Sequence, residues 1–237
     1  MTESVVQEIP LPEVTLEEVF RAEGADYSKR PPRPSVVEIH NQVLRQDAKH
    51  VRPVLIWREF AISGAEEQEL FLEKGPKLKS SLLVKVAGRA EKLVLLAMTI
   101  GSALDNAVAD YNQAGKILES FALDAAGSIF LAKSIMLVIA ELEDKYKVAG
   151  MSTTFLLGPG HSYWSGLDDV RTIIETLKAE QIGITLTDSN LMIPRKSVAM
   201  VMGVGHNLPD FKGKTHCDFC SLQKTCNMNK FAQNCGG

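Results

Sequence analysis

Cys217, Cys220, Cys226 and Cys235 are the only cysteines of this 237-residue chain, with the spacing C-x2-C-x5-C-x8-C and His216 directly before the first. Cysteines serving as small core residues would be scattered through the chain. Four thiols gathered in residues 217–237 point instead to soft-metal chemistry, as an iron–sulfur cluster or zinc. The alternative is a tail of free thiols. A structural zinc site often shows two C-x2-C pairs, and this tail has one. Iron–sulfur proteins tolerate irregular spacing. Cys235 lies two residues from the end, as a loose ligand or none.

A second group of reactive types is Gly158-Pro-Gly-His-Ser-Tyr-Trp164. Its glycines permit a turn or a close ligand approach. His161 is a metal ligand or proton donor by type, or a solvated loop histidine. Tyr163 and Trp164 cover a flat ligand or anchor the loop to the core. A third group is Thr187, Asp188 and Ser189, whose oxygens suit turn and capping bonds as well as a ligand. Arg195 and Lys196 read as surface charges, and Met192 as core.

The elements around these groups follow from periodicity. Thr15 and Glu18 form a capping box for a helix over 15–21, which the Lys-Arg-Pro-Pro stretch after it ends. Apolar positions Val36, Ile39, Val43 and Leu44 predict a helix over 36–50. Residues 54–61, 79–87, 92–100 and 197–204 read as strands, with shorter ones before Gly158 and over 183–187. A helix is expected from Ser102, with Asp105 near its positive end. Residues 116–149 form one long helix or two, and residues 168–179 an amphipathic one. The fold class is α+β: one domain with a twisted mixed or antiparallel sheet flanked by helices, plus a short Cys-rich tail. The expected organisation is a weakly ordered arm (1–35), an α+β domain (36–210) and the tail (211–237).

Composition narrows the function classes. With 45% hydrophobic residues the chain can bury a sizeable core. A net charge of −3 and a pI near 6.0 advertise neither nucleic acid nor an anionic membrane as partner. Residues 1–14 lack the basic start and apolar run of a secretory signal. The most apolar stretch, residues 129–139, is interrupted by Lys133 and falls short of the ~20 residues of a membrane span. A cytoplasmic protein is expected, where clustered thiols serve metal or redox roles.

Residues 158–164, the helix after them and residues 182–198 together resemble the activation domain of cobalamin-dependent methionine synthase. Gly183, Leu186, Thr187, Asp188, Ser189, Met192, Pro194, Ser197, Val198 and Gly203 fall on that family's pattern. The likeness is closest to stand-alone relatives that accompany corrinoid proteins. They share the runs at 97–102 and 124–128 and a Cys-rich C-terminus, and the resemblance covers roughly residues 36 to 226.

The resemblance implies a corrinoid-binding protein or methyltransferase as partner, carrying the cobalamin, and an electron-donor protein. It implies reductive reactivation of cob(II)alamin with S-adenosylmethionine as methyl donor. The implied cofactor-binding positions are Gly158, Gly160, His161, Tyr163, Trp164, Thr187, Asp188, Ser189 and Ser197, with His161 nearest the chemistry. Two positions depart from the pattern. Leu156 stands where the family carries an arginine able to fork onto the S-adenosylmethionine carboxylate, and leucine cannot replace that fork. His161 stands where the family carries tyrosine. The rival expectation is a non-catalytic corrinoid-binding or scaffold protein with a zinc-stapled tail.

Overall fold

The central strands are apolar runs because both of their faces are covered. The computed structural model describes residues 3–24, 30–211 and 213–226. In β5 (Lys92–Thr99), Val94, Leu96 and Met98 face one core while Leu93, Leu95 and Ala97 face another. The same alternation runs through β9 (Ser197–Gly205), with Met200, Met202 and Val204 on one side and Ala199 and Val201 on the other. Such strands read as continuous hydrophobic stretches rather than alternating ones.

The remaining strands are β1 (Val5–Glu8), β2 (Val54–Glu66), β3 (Glu69–Leu72), β4 (Lys77–Lys79) and β6 (Ser152–Thr153), with β7 (Thr185–Leu186) and β8 (Met192–Ile193) as a separate small hairpin. The main sheet has seven strands in the order β4-β3-β2-β5-β9-β6, with β1 also on β2. Every pairing is antiparallel. The thirteen-residue β2 pairs along one edge with β1 at residues 54–57 and with β3 at residues 62–66. Its other edge pairs with β5.

One face of the sheet carries α1 (Leu16–Ala22), α2 (Pro34–Asp47), α4 (Ser102–Gln113) and α5 (Ile117–Val148). The other carries α3 (Ser81–Ala87) and α6 (Asp168–Leu177). The fold is therefore α+β, with an antiparallel sheet between two helical layers.

By length and hydropathy α5 could cross a membrane, with a mean hydropathy of 1.8 over its most apolar window, although residues 129–139 alone are too short. Half of that window is buried within the protein. Ile129, Phe130, Val138 and Leu142 sit in the core, and the interrupting Lys133 pairs with Glu18 of α1 at 2.8 Å. This helix is apolar on most sides because α1, α2, α4 and the sheet surround it.

Two expectations change. Residues 79–87 are not a strand: Ser80 caps α3, accepting a bond from the Leu83 N–H at 3.2 Å. The buried Leu82, Leu83, Val86 and Ala87 have helical spacing. Residues 1–35 are more than an arm: β1 joins the sheet, and Val19 and Phe20 of α1 are buried. The capping box of Thr15 and Glu18 forms as expected. The Glu23 carboxylate meets His40 Nε2 at 2.7 Å, with both side chains at least 95% buried (2% and 5% exposed), which ties the α1 end to α2.

Candidate functional site

The site begins where three strands end together. Thr99, the last residue of β5, pairs with Ser197, the first of β9. Beyond β6, Leu157 and Val201 exchange backbone bonds of 3.0 and 2.7 Å. Residues 158–160 therefore continue beside the start of β9. A Cβ on Gly158 would lie 3.0 Å from the Ala199 carbonyl oxygen, so the close approach requires glycine. The loop 158–164 and the segment 188–196 leave the sheet at the same end.

The first turn of α6 joins these two loops. Trp164 Nε1 donates to Asp169 Oδ2 at 2.9 Å. Arg171 Nε donates to Asn190 Oδ1 at 2.6 Å, and Asn190 Nδ2 donates to Asp168 Oδ1 at 3.4 Å. Sequence reasoning missed Asp169, Arg171 and Asn190. Two acidic residues opening a helix read as dipole complements, and nothing local showed which loops they hold.

In the second loop the predicted residues shape a turn. Leu191 N–H donates to Thr187 Oγ1 at 3.0 Å, and the Thr187 and Ser189 hydroxyls lie 3.1 Å apart. Asp188 and Ser189 are exposed. Ser197 is buried and donates to the Pro194 carbonyl at 2.7 Å. Thr187 and Ser197 thus hold the backbone, while Asp188 and Ser189 face solvent.

Lys196 is not a surface charge, because α5 receives it. Its Nζ lies 2.9 Å from both Asp124 Oδ2 and Ser128 Oγ, and its side chain is 12% exposed. The small-residue run 124–128 makes the room, since Gly127 lies opposite the Lys196 stem and Leu104. Arg195 stays open to solvent, and its N–H donates to Asp105 Oδ2 at 2.7 Å. The Lys196 carbonyl accepts from Ile100 N–H at 3.2 Å and Thr99 Oγ1 at 3.4 Å. Gly101 then turns the chain into α4 with φ +89°, a conformation that favours glycine. The stretches 97–102, 124–128 and 194–198, far apart in sequence, meet here.

The first loop is a tight turn. Gly160 N–H donates to the Trp164 carbonyl at 2.9 Å, and Trp164 N–H to the His161 carbonyl at 2.8 Å. Trp164, 2% exposed, anchors the loop in the core and so offers no open ring face. Tyr163 Oη accepts from Gly158 N–H at 3.3 Å. The exposed His161 stacks on Tyr163, with centroids 5.2 Å apart and planes 3° from parallel.

The C-terminal segment packs on this loop. Phe155 lies 5.7 Å from both Phe211 and Phe219, and the His216 ring 5.7 Å from that of His161. Ser162 Oγ accepts from Ser221 N–H at 2.8 Å and donates to Cys220 Sγ at 3.6 Å. Although His161 keeps an exposed edge, the Tyr163 and His216 rings against it shed water from its imidazole. This desolvation lowers its pKa, and desolvation lowers that of His216, so both imidazoles are neutral at neutral pH. Burial raises the Cys217 thiol, and the neighbouring Cys226 and Cys220 push it the same way. A metal cation beside the Cys217 sulfur would offset that cost by stabilising its thiolate. Among the described residues no three His, Cys, Asp or Glu side chains converge closely enough to hold a metal ion. Cys235 lies outside the described residues.

No protein-family model matches this chain, and no curated protein matches it. A solved structure does: the MetH reactivation domain bound to AdoHcy, with a TM-score of 0.58 at 14% sequence identity, over 99% of this chain and 86% of that chain. At that identity the likeness is one of architecture, and it spans nearly every residue. The chain has the fold of the methionine synthase reactivation domain.

Proposed function

We propose that this chain is an accessory protein of a corrinoid-dependent methyltransferase, supporting reductive reactivation of cob(II)alamin held by a partner protein in the cytoplasm. The supporting observation is the reactivation-domain fold over 99% of the chain. The two loops that carry the sequence resemblance also leave one end of the sheet. In this reading Gly158 and Gly160 let the backbone come close to the partner's corrin. Asp188 and Ser189 would meet its polar side chains, and His161 would offer a neutral imidazole to the partner's cobalt as ligand or proton donor. Cys217, Cys220 and Cys226, with Cys235, would hold an iron–sulfur cluster, which supplies one-electron transfer when bound.

The residues do not fit S-adenosylmethionine at the position where a carboxylate fork is expected. Leu156 is 3% exposed and belongs to the helix-side core. This burial favours a second reading, a corrinoid-docking scaffold whose tail holds structural zinc.

The test uses anaerobically purified full-length protein and a cob(II)alamin-loaded methyltransferase. Brown protein with iron and labile sulfide is the expected result, and stoichiometric zinc in colourless protein selects the scaffold. Mixing should perturb the corrin absorption spectrum, and His161→Ala should reduce the change. An unperturbed spectrum at saturating protein overturns both readings.

A further inference from the structure

The tail and the 158–164 loop share one hydroxyl. Ser162 Oγ accepts the Ser221 N–H at 2.8 Å and donates its own proton to Cys220 Sγ at 3.6 Å. A serine hydroxyl has one proton and two lone pairs, so these contacts use its proton and one acceptor site. On each side of this latch the neighbouring residue is part of a ring cluster. His161 directly precedes Ser162, while His216, one turn before Cys220, lies 5.7 Å from the His161 ring and 6.4 Å from Tyr163.

The loop side of the latch is stiff. Residues 160–164 are closed by two backbone bonds, and Trp164 is held in the core by Asp169. The tail side rests on the face-to-face contact of Phe219 with Phe155 and the edge contact of Phe211. A change at Cys220 therefore has a short and defined path to His161.

We propose that Ser162 is a positioning residue that couples the state of the Cys220 sulfur to the placement of the His161 imidazole. The Ser162 hydroxyl donates to a lone pair of the Cys220 sulfur, so a substituent on that sulfur competes with the bond. Adding bulk to the sulfur displaces the hydroxyl and with it the Ser221 contact. The imidazole of the adjacent His161 then moves relative to His216. The coupling needs no corrinoid.

The experiment labels the histidine rings of the full chain and follows their NMR resonances while the thiols are alkylated with iodoacetamide, with mass mapping of Cys220. In the wild type the His161 and His216 resonances should both move as Cys220 is modified, while that of His50, in the turn after α2 beside Asp47, should not. In Ser162→Ala the His161 movement should be more than halved, with the His216 movement retained. In Cys220→Ala the His161 resonance should start displaced and ignore the reagent. A His161 resonance that does not respond to Cys220 modification overturns the proposal. So does one that responds equally in Ser162→Ala, because contact through the rings would then suffice. Far-UV circular dichroism of each variant shows whether a lost response reflects unfolding; an unfolded Ser162→Ala is replaced by Ser162→Gly, which must reduce the movement.

Discussion

Gly203 falls on the sequence pattern shared with the activation domain, yet the structure gives it a packing role that Gly203→Ala can test. Residues 199, 201 and 203 of β9 face α3 and α6. A Cβ at 203 would lie 2.8 Å from Ala87 Cβ, 3.0 Å from Thr154 Cγ2 and 3.3 Å from Ala90 Cβ. Two of those neighbours are alanine Cβ atoms, fixed to the backbone, so α3 itself would have to move outward. Overpacking of this kind costs about 1–3 kcal/mol. Replacing glycine within a strand returns roughly 0.5–1 kcal/mol of backbone entropy. The two terms together span a net loss of about 0–2.5 kcal/mol, and because two backbone-fixed Cβ atoms are met at 3.3 Å or less the upper part, about 1–2.5 kcal/mol or ~2–10 °C in Tm, is expected.

Gly64 is the control, in β2 with nothing within 4 Å of the added carbon. Gly64→Ala should be neutral or gain up to about 1 kcal/mol. Urea unfolding of both variants, read at unchanged m, separates the two. The reasoning fails if Gly203→Ala is as stable as the wild type, or if both variants lose stability alike.

Two further outcomes follow from buried polar and apolar positions. His40 Nδ1 donates to the Val36 carbonyl at 2.8 Å and Nε2 faces Glu23, so both nitrogens carry protons. Burial opposes that charge, but the Glu23 and Val36 bonds outweigh it and raise the His40 pKa above its ordinary 6.5. The pair's contribution is therefore complete below pH 6.5 and declines as pH rises through the folded value. Glu23→Gln should cost about 2–4 kcal/mol near pH 6, and the gap to wild type should narrow toward pH 9. A gap independent of pH in urea titrations would refute the charged pair. For Leu156→Arg, calorimetry with S-adenosylmethionine should show no gain in affinity, and Tm should fall, since an unpaired buried guanidinium costs several kcal/mol. A folded variant that gains about tenfold in affinity, worth 1.4 kcal/mol, would place this position at a carboxylate site after all.

The sequence showed most where one short-range signal sufficed. Thr15 and Glu18 announce α1, and the runs at 92–99 and 197–205 announce the central strands. Residues 79–87 misled because the run Leu-Leu-Val-Lys-Val satisfies a strand count, while the deciding bond, Ser80 to Leu83, is a cap. Lys196 misled for a different reason. A lysine after Pro-Arg reads as solvated until α5 supplies Asp124 and Ser128 from seventy residues away. The loops were found by residue type, but their joining through Asp168, Asp169, Arg171 and Asn190 is tertiary and left no local trace.

That joining also decides how far a disturbance of the tail can travel. The tail touches the 158–164 loop through Ser162, Tyr163 and His161. From there hydrogen bonds reach the second loop through Trp164, Asp169 and the first turn of α6. Trp164 is almost wholly buried, and α6 fixes itself with Val170, Ile173, Ile174 and Leu177 in the same core. Asp169 is held again by the Lys79 N–H at 3.0 Å. Close-packed interiors of this kind resist small displacements. The Thr187–Leu191 turn, closed by its own backbone bond of 2.9 Å, is therefore insulated from the thiols. Chemistry at the tail acts on His161 and its neighbours, while Asp188 and Ser189 keep their places as a fixed edge of the site.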